Sequence, residues 1–150
     1  MRILTVKQPW AWAIIHGGKD VENRVRSLGP YRGPVAIHAS RSIGANSAWT
    51  DPNVREALIR ADSISDWNPS LGTIIGVVDL VDEHTDCTEN VDGHGHTPTC
   101  SKWAMSDHHH LVLANPRPLT QPIPARGMLG LWRPDAELLA AITEQLAEVA

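Results

Sequence analysis

Residues 71–81, LGTIIGVVDLV, limit the possible folds more than any other part of the chain. Seven of these eleven residues are Leu, Ile or Val, and six carry a branched β-carbon. Branched side chains lose rotamer freedom in a helix and pack well on a pleated surface, so the run predicts a strand. Its apolar character is nearly continuous, which predicts the central, buried strand of a sheet. It is far shorter than the ~20 residues of a membrane span.

Shorter segments supply neighbours for that strand. Arg2–Val6 and Gly33–Ser40 alternate apolar and polar positions, and Asp20–Arg26 sets Val21, Asn23 and Val25 against Glu22, Arg24 and Arg26. His110–Ala114 predicts another strand. Pro116–Pro124 carries too many prolines for anything but an edge strand or extended connection, and Gly127–Trp132 closes the set. Pro9 can open a helix that Gly17-Gly18 stops, and Asp51-Pro52 offers a cap and first-turn proline for a helix to about Ala61. Asp135–Val149 has Leu138, Leu139, Ile142 and Leu146 at helical spacing, so residues 134–149 predict an amphipathic C-terminal helix. Residues 83–102 are polar and predict a long loop. Short strands interrupted by a few helices give an α+β class, a small mixed β-barrel decorated with helices, with residues 1–150 forming one domain.

Hydrophobic residues make up 42% of the chain, enough to exclude disorder. The opening MRILTVKQPW lacks the apolar core of a signal peptide, so the chain reads as cytoplasmic, with no membrane partner. The net charge of −4 argues against nonspecific coating of nucleic acid, but it is unevenly spread. Residues 1–60 hold nine Lys/Arg against four Asp/Glu, whereas residues 61–110 hold one against nine. A basic first third suits an anionic ligand, and the acidic middle suits a solvated loop or a metal-binding segment.

Within that basic third, Gln8-Pro9-Trp10-Ala11, Gly17-x-Lys19, Glu22-x-Arg24, Tyr31-x-Gly33 and Ile37-His38-Ala39-Ser40 follow one another in order. Leu71-Gly72-Thr73-Ile74-Ile75-Gly76, Trp103 and Gly127-x-x-Gly130-Leu131-Trp132 continue the pattern to about residue 133. This set resembles the ASCH domain, the activating-signal-cointegrator homology family of the PUA-like superfamily. The resemblance implies a PUA-like β-barrel with a cleft for RNA, other nucleic acid or a modified nucleotide. It points to Gln8, Trp10, Lys19, Glu22, Arg24, His38 and Ser40 as candidate ligand-binding residues, and Arg26, on the charged face of the same strand as Arg24, joins them as a phosphate contact. Read physically, Lys19 and Arg24 suit a phosphate, Glu22 can accept from a base amine, and His38 and Ser40 join that wall if the Gly33 strand pairs beside it.

The alternative is an enzyme. Some relatives resemble acetylcytidine amidohydrolases, which use a lysine, a threonine and a glutamate. Lys19 matches the lysine and would be catalytic together with Glu22, but Glu22 stands where those enzymes have the threonine. Only Asp79, Asp82 and Glu83 offer positions for the separate carboxylate.

Two further features carry chemistry. Six of the seven aromatic residues are Trp, a side chain that can stack on bases. Trp10 and Trp132 fall on core stripes, leaving Trp12, Trp49 and Trp67 as surface candidates. The second feature is His84-x2-Cys87-x6-His94-x-His96-x3-Cys100, followed by His108-His109-His110. Cys87, Cys100, His94 and His96 could close around Zn²⁺, although the spacing matches no standard finger. The other readings are two free thiols with no cofactor at all, or a disulfide, which a reducing compartment disfavours.

Overall fold

The computed structural model describes residues 1–61, 70–85, 87–89, 97–98 and 100–149. The elements run β1 (Arg2–Gln8), α1 (Trp10–His16), β2 (Val21–Arg24), β3 (Gly33–Ile43), α2 (Asn46–Trp49), α3 (Pro52–Arg60), β4 (Thr73–His84), β5 (Thr88–Glu89), β6 (Thr97–Pro98), β7 (His109–Pro124), β8 (Leu131–Trp132) and α4 (Ala136–Val149). Six strands form one sheet in the order β2-β7-β4-β3-β1-β8, and β5 and β6 pair separately. The apolar run is the centre of this sheet, held antiparallel between β3 and β7. β1 and β3 are parallel, with α1 and β2 in the connection between them. The sheet curls into a half-barrel, so that Arg24 on edge strand β2 donates to the Thr5 carbonyl of β1 at 3.0 Å, across the opening.

Both faces of the sheet are covered. On one, Ala11, Ile14 and Ile15 of α1 pack against Leu4, Val6, Val35, Ile37 and Val78. On the other, Ile142 of α4, fully buried, joins Ile3, Ala36, Ile74, Val77 and Leu119. Ile75 and Ile74 alternate as a strand requires, but the register with β7 shifts between Ile74 and Gly76. The bulge brings Gly76 under the helix, where a Cβ would lie 2.7 Å from Ile15 Cδ1 and 2.8 Å from the Arg117 carbonyl oxygen. Only glycine allows α1 to sit this deep.

Several boundaries differ from the sequence reading. The two segments at 110–114 and 116–124 are one strand, β7. Its first half pairs with β2 on one side and β4 on the other, while its proline-rich half pairs with β4 alone, leaving the edge that proline tolerates. The 83–102 segment is not all loop: β4 extends to His84, and the β5–β6 ribbon lies within it. Asp51 caps α3 as expected, accepting from the backbone N–H groups of Asn53 and Val54. Among the described residues no helix is long and apolar enough to cross a membrane.

Candidate functional site

The end of α1 creates the site. Gly18 takes the left-handed conformation (φ +72°), and the chain folds back so that the Lys19 N–H bonds the Ala13 carbonyl at 2.9 Å. The Lys19 side chain therefore enters the interior, where it is only 3% exposed. A buried ammonium must be paired. Nζ lies 3.2 Å from Glu22 Oε2 and also donates to the Val21 carbonyl. The other Glu22 oxygen, Oε1, is 3.1 Å from the Arg24 guanidinium. Two cations thus share one carboxylate along the first strand after the helix.

Aromatic rings enclose the same ammonium. Lys19 Nζ is 5.8 Å from the ring centroids of both Trp10 and Trp103, which meet edge to face at 6.5 Å. Trp103 is fixed by its indole N–H to the Gly18 carbonyl at 3.1 Å. Its backbone is held by Asn23, whose side-chain amide donates to the Trp103 carbonyl and accepts from the Met105 N–H. Beside these groups opens a pocket of about 590 Å³, with Lys7, Lys102, Asp51 and Asn53 also on its walls. That volume lies in the usual range for small-ligand sites.

The structure brings together Trp10, Lys19 and Glu22 in this pocket, with Arg24 behind Glu22. Gln8 is buried outside the pocket lining and accepts from the Trp12 N–H near the start of α1. Arg26 lies beyond the end of β2 and is exposed. His38 and Ser40 do not join this wall, because β2 pairs with β7 rather than with β3. His38 instead bonds the Ala125 carbonyl at 3.0 Å and packs on Trp132. Burial pushes its pKa down against that hydrogen bond, and Arg41 adds to the lowering. Asp79, Asp82 and Glu83 are engaged elsewhere, with Arg117, His84 and His109 respectively, and none lines the pocket. Of the tryptophans, Trp10 and Trp103 face the pocket; Trp12 and Trp49 do not line it, and Trp67 lies outside the described residues. Sequence reasoning missed Lys7, Asn23, Asn53 and Lys102. The one available signal was Trp103 in the family pattern, since these four are ordinary polar residues brought in by four separate segments.

A second cluster sits at the far end of β4 and β7. One nitrogen or sulfur atom from each of His84, Cys87, Cys100 and His110 lies within 4.8 Å of the others, a grouping that could hold a metal ion. Cys87 and Cys100 belong to it as expected. The histidines that meet them are His84 and His110, while His94 and His96 lie outside the described residues.

A curled mixed sheet of this order, covered by helices on both faces, defines a PUA-like fold of the ASCH type. The chain belongs to the ASCH domain family, which matches residues 4–123. Among solved structures it is similar to a point mutant of ZmASCH from Zymomonas mobilis, with a TM-score of 0.54 and 16% identity, covering 95% of this chain and 96% of that one. No curated protein sequence matches the chain. Membership in the ASCH family is consistent with RNA binding in general.

Proposed function

We propose that the pocket binds one unstacked nucleotide of an RNA ligand, natural or modified at its base. The observation that carries this reading is the buried Lys19–Glu22 pair set between Trp10 and Trp103 inside a pocket of nucleotide size. An ammonium has three donors, and Lys19 uses two; a carboxylate has about four acceptor sites, and Glu22 shows two in use. The pair therefore offers one donor beside spare acceptors, which suits a base edge with an exocyclic amine next to a ring acceptor, as on cytosine or adenine. The indole faces supply stacking worth roughly 1–3 kcal/mol per base. Lys7 and Lys102 at the wall suit the flanking phosphates.

The test is a polarisation titration of labelled C-, A- and U-rich single strands at low salt. Two lysines on phosphates, Lys7 and Lys102, predict a slope of log K against log salt of about −1.4, from −0.7 per phosphate. Lys19→Met should weaken binding by about tenfold or more, the loss of one charge-assisted contact, and Arg26→Ala should leave it unchanged. Equal affinity of wild type and a folded Lys19→Met variant would remove the pocket from the interaction. The hydrolase alternative needs Lys19 as a free amine, whereas its N–H groups are directed at a carboxylate and a carbonyl. Turnover of acylated cytidine by wild type, lost in Lys19→Arg, would shift the function to that reaction.

A further inference from the structure

We propose that His84, Cys87, Cys100 and His110 bind one Zn²⁺ in a closed tetrahedral site, and that this ion clamps both ends of the segment walling the pocket. The site stands independently of what the pocket binds.

The topology assembles the four ligands from two hairpins. His84 and His110 are register partners at the end of the β4–β7 ladder, so their rings share one side of the sheet, 5.6 Å apart. Cys87 immediately precedes β5, and Cys100 follows β6 by one intervening residue; the pairing of Thr88 with Pro98 closes that ribbon and draws the two thiols together. Cys87 Sγ and Cys100 Sγ lie 3.0 and 3.5 Å from His110 Nδ1. Tetrahedral zinc with Zn–S and Zn–N bonds of about 2.3 and 2.0 Å places sulfur and nitrogen ligands about 3.5 Å apart, so little movement separates this cluster from a coordination shell.

The outer nitrogen of each imidazole is already fixed as zinc ligation requires. His84 Nδ1 is 3.0 Å from the Asp82 carboxylate, and His110 Nε2 donates to the Met105 carbonyl at 2.7 Å. Such outer acceptors set the tautomer and leave a lone pair on the inner nitrogen. His84 Nε2, the inner atom, is buried and has no hydrogen-bond partner among the described residues. An orphaned buried nitrogen costs about 1–3 kcal/mol, and a metal ion in the cluster relieves it. Two thiolates and two imidazoles in a tetrahedral arrangement select zinc, and four protein ligands leave no open position, so the ion is structural.

Its position gives it a second effect. Cys100 and His110 delimit the segment that carries Lys102, Trp103, Ala104 and Met105 into the pocket wall. The ion would pin this segment at both ends, and the Met105 carbonyl is itself the outer partner of His110. Loss of metal should therefore loosen the Trp103 wall.

Full-length protein purified without a polyhistidine tag should contain close to one zinc per chain. Cys87→Ser and His84→Ala should each carry less than about a tenth of an equivalent, and Asp82→Ala should weaken zinc affinity by about 10–100-fold with all four ligands intact. His108→Ala, outside the cluster, should retain the full equivalent. Co²⁺ added to metal-free wild type should give the thiolate charge-transfer and strong d–d bands of a tetrahedral site, a readout that needs no variant. Chelation should speed trypsin cleavage after Lys102 by about tenfold or more, and Zn²⁺ should reverse this. Wild-type protein lacking metal after zinc addition, an intact mass two hydrogens light from a Cys87–Cys100 disulfide, or bound iron instead would each overturn the assignment. Unchanged cleavage after Lys102 on chelation would overturn the clamp.

Discussion

The Lys19–Glu22 pair should show an asymmetry that only burial can produce. Lys19→Met removes a charge-assisted hydrogen bond at 3.2 Å and the bond to the Val21 carbonyl. Glu22 is not stranded, because Arg24 still holds it at 3.1 Å from a side chain 27% exposed to water. Hydrogen bonds to charged groups contribute about 1.5–3 kcal/mol, and the methionine fills the vacated volume, so the expected loss is about 2 kcal/mol. Glu22→Gln is the harsher change. It leaves the Lys19 ammonium, 3% exposed, without a counter-charge of its own, its acceptors being the Val21 carbonyl, the one amide oxygen that Arg24 also seeks, and two indole faces. Stranding a buried charge costs about 3–5 kcal/mol, from which the two ring contacts recover part, so a net loss of about 3 kcal/mol is expected. The double variant removes both members, and the cycle should return a coupling of about 1–3 kcal/mol. Urea unfolding followed by far-UV circular dichroism measures all four proteins. With a denaturant slope of about 2 kcal/mol/M, Lys19→Met should lower the midpoint by about 1 M and Glu22→Gln by about 1.5 M. If Lys19→Met costs as much as Glu22→Gln, or if the coupling falls below about 0.5 kcal/mol, the pair behaves like a hydrated surface salt bridge and the buried-site reasoning fails.

Two more predictions concern the frame around the site. Gly76→Ala forces a methyl group against Ile15 Cδ1 and the Arg117 carbonyl and should cost about 1–3 kcal/mol; adding Ile15→Val should return only part of it, since the backbone clash remains, and thermal unfolding of the three proteins checks this. His38 has a folded pKa below its ordinary 6.5, so the unfolded chain takes up the proton first. Its contribution is intact above pH 6.5 and is lost as the pH falls through that value toward the lowered one. Urea midpoints at pH 7.5 and 5.5 should therefore differ less in His38→Phe than in wild type, and an identical difference in both would exclude His38 as the titrating group.

The parts of this protein legible in its sequence are those set by neighbours along the chain. Branched apolar residues from Thr73 to Val81 make a strand whatever surrounds them, Asp51 and Pro52 start a helix locally, and Leu138, Ile142 and Leu146 face one way because of helical geometry. The ordered pattern from Gln8 through Trp132 also pointed to the family, and Cys87 and Cys100 announced themselves by rarity. Pairing between strands was not legible, because periodicity reports which residues share a face but not which strand lies alongside. Periodicity therefore leaves His38 a candidate beside Lys19 although β2 pairs with β7, and spacing alone offers His94 and His96 to the two cysteines. His84 and His110 are 26 positions apart and become neighbours only through the β4–β7 register, just as Trp103 reaches Lys19 only after the chain has crossed the sheet and returned. Local chemistry determined the elements; long-range register, fixed by burying both faces of one curled sheet, decided which side chains meet.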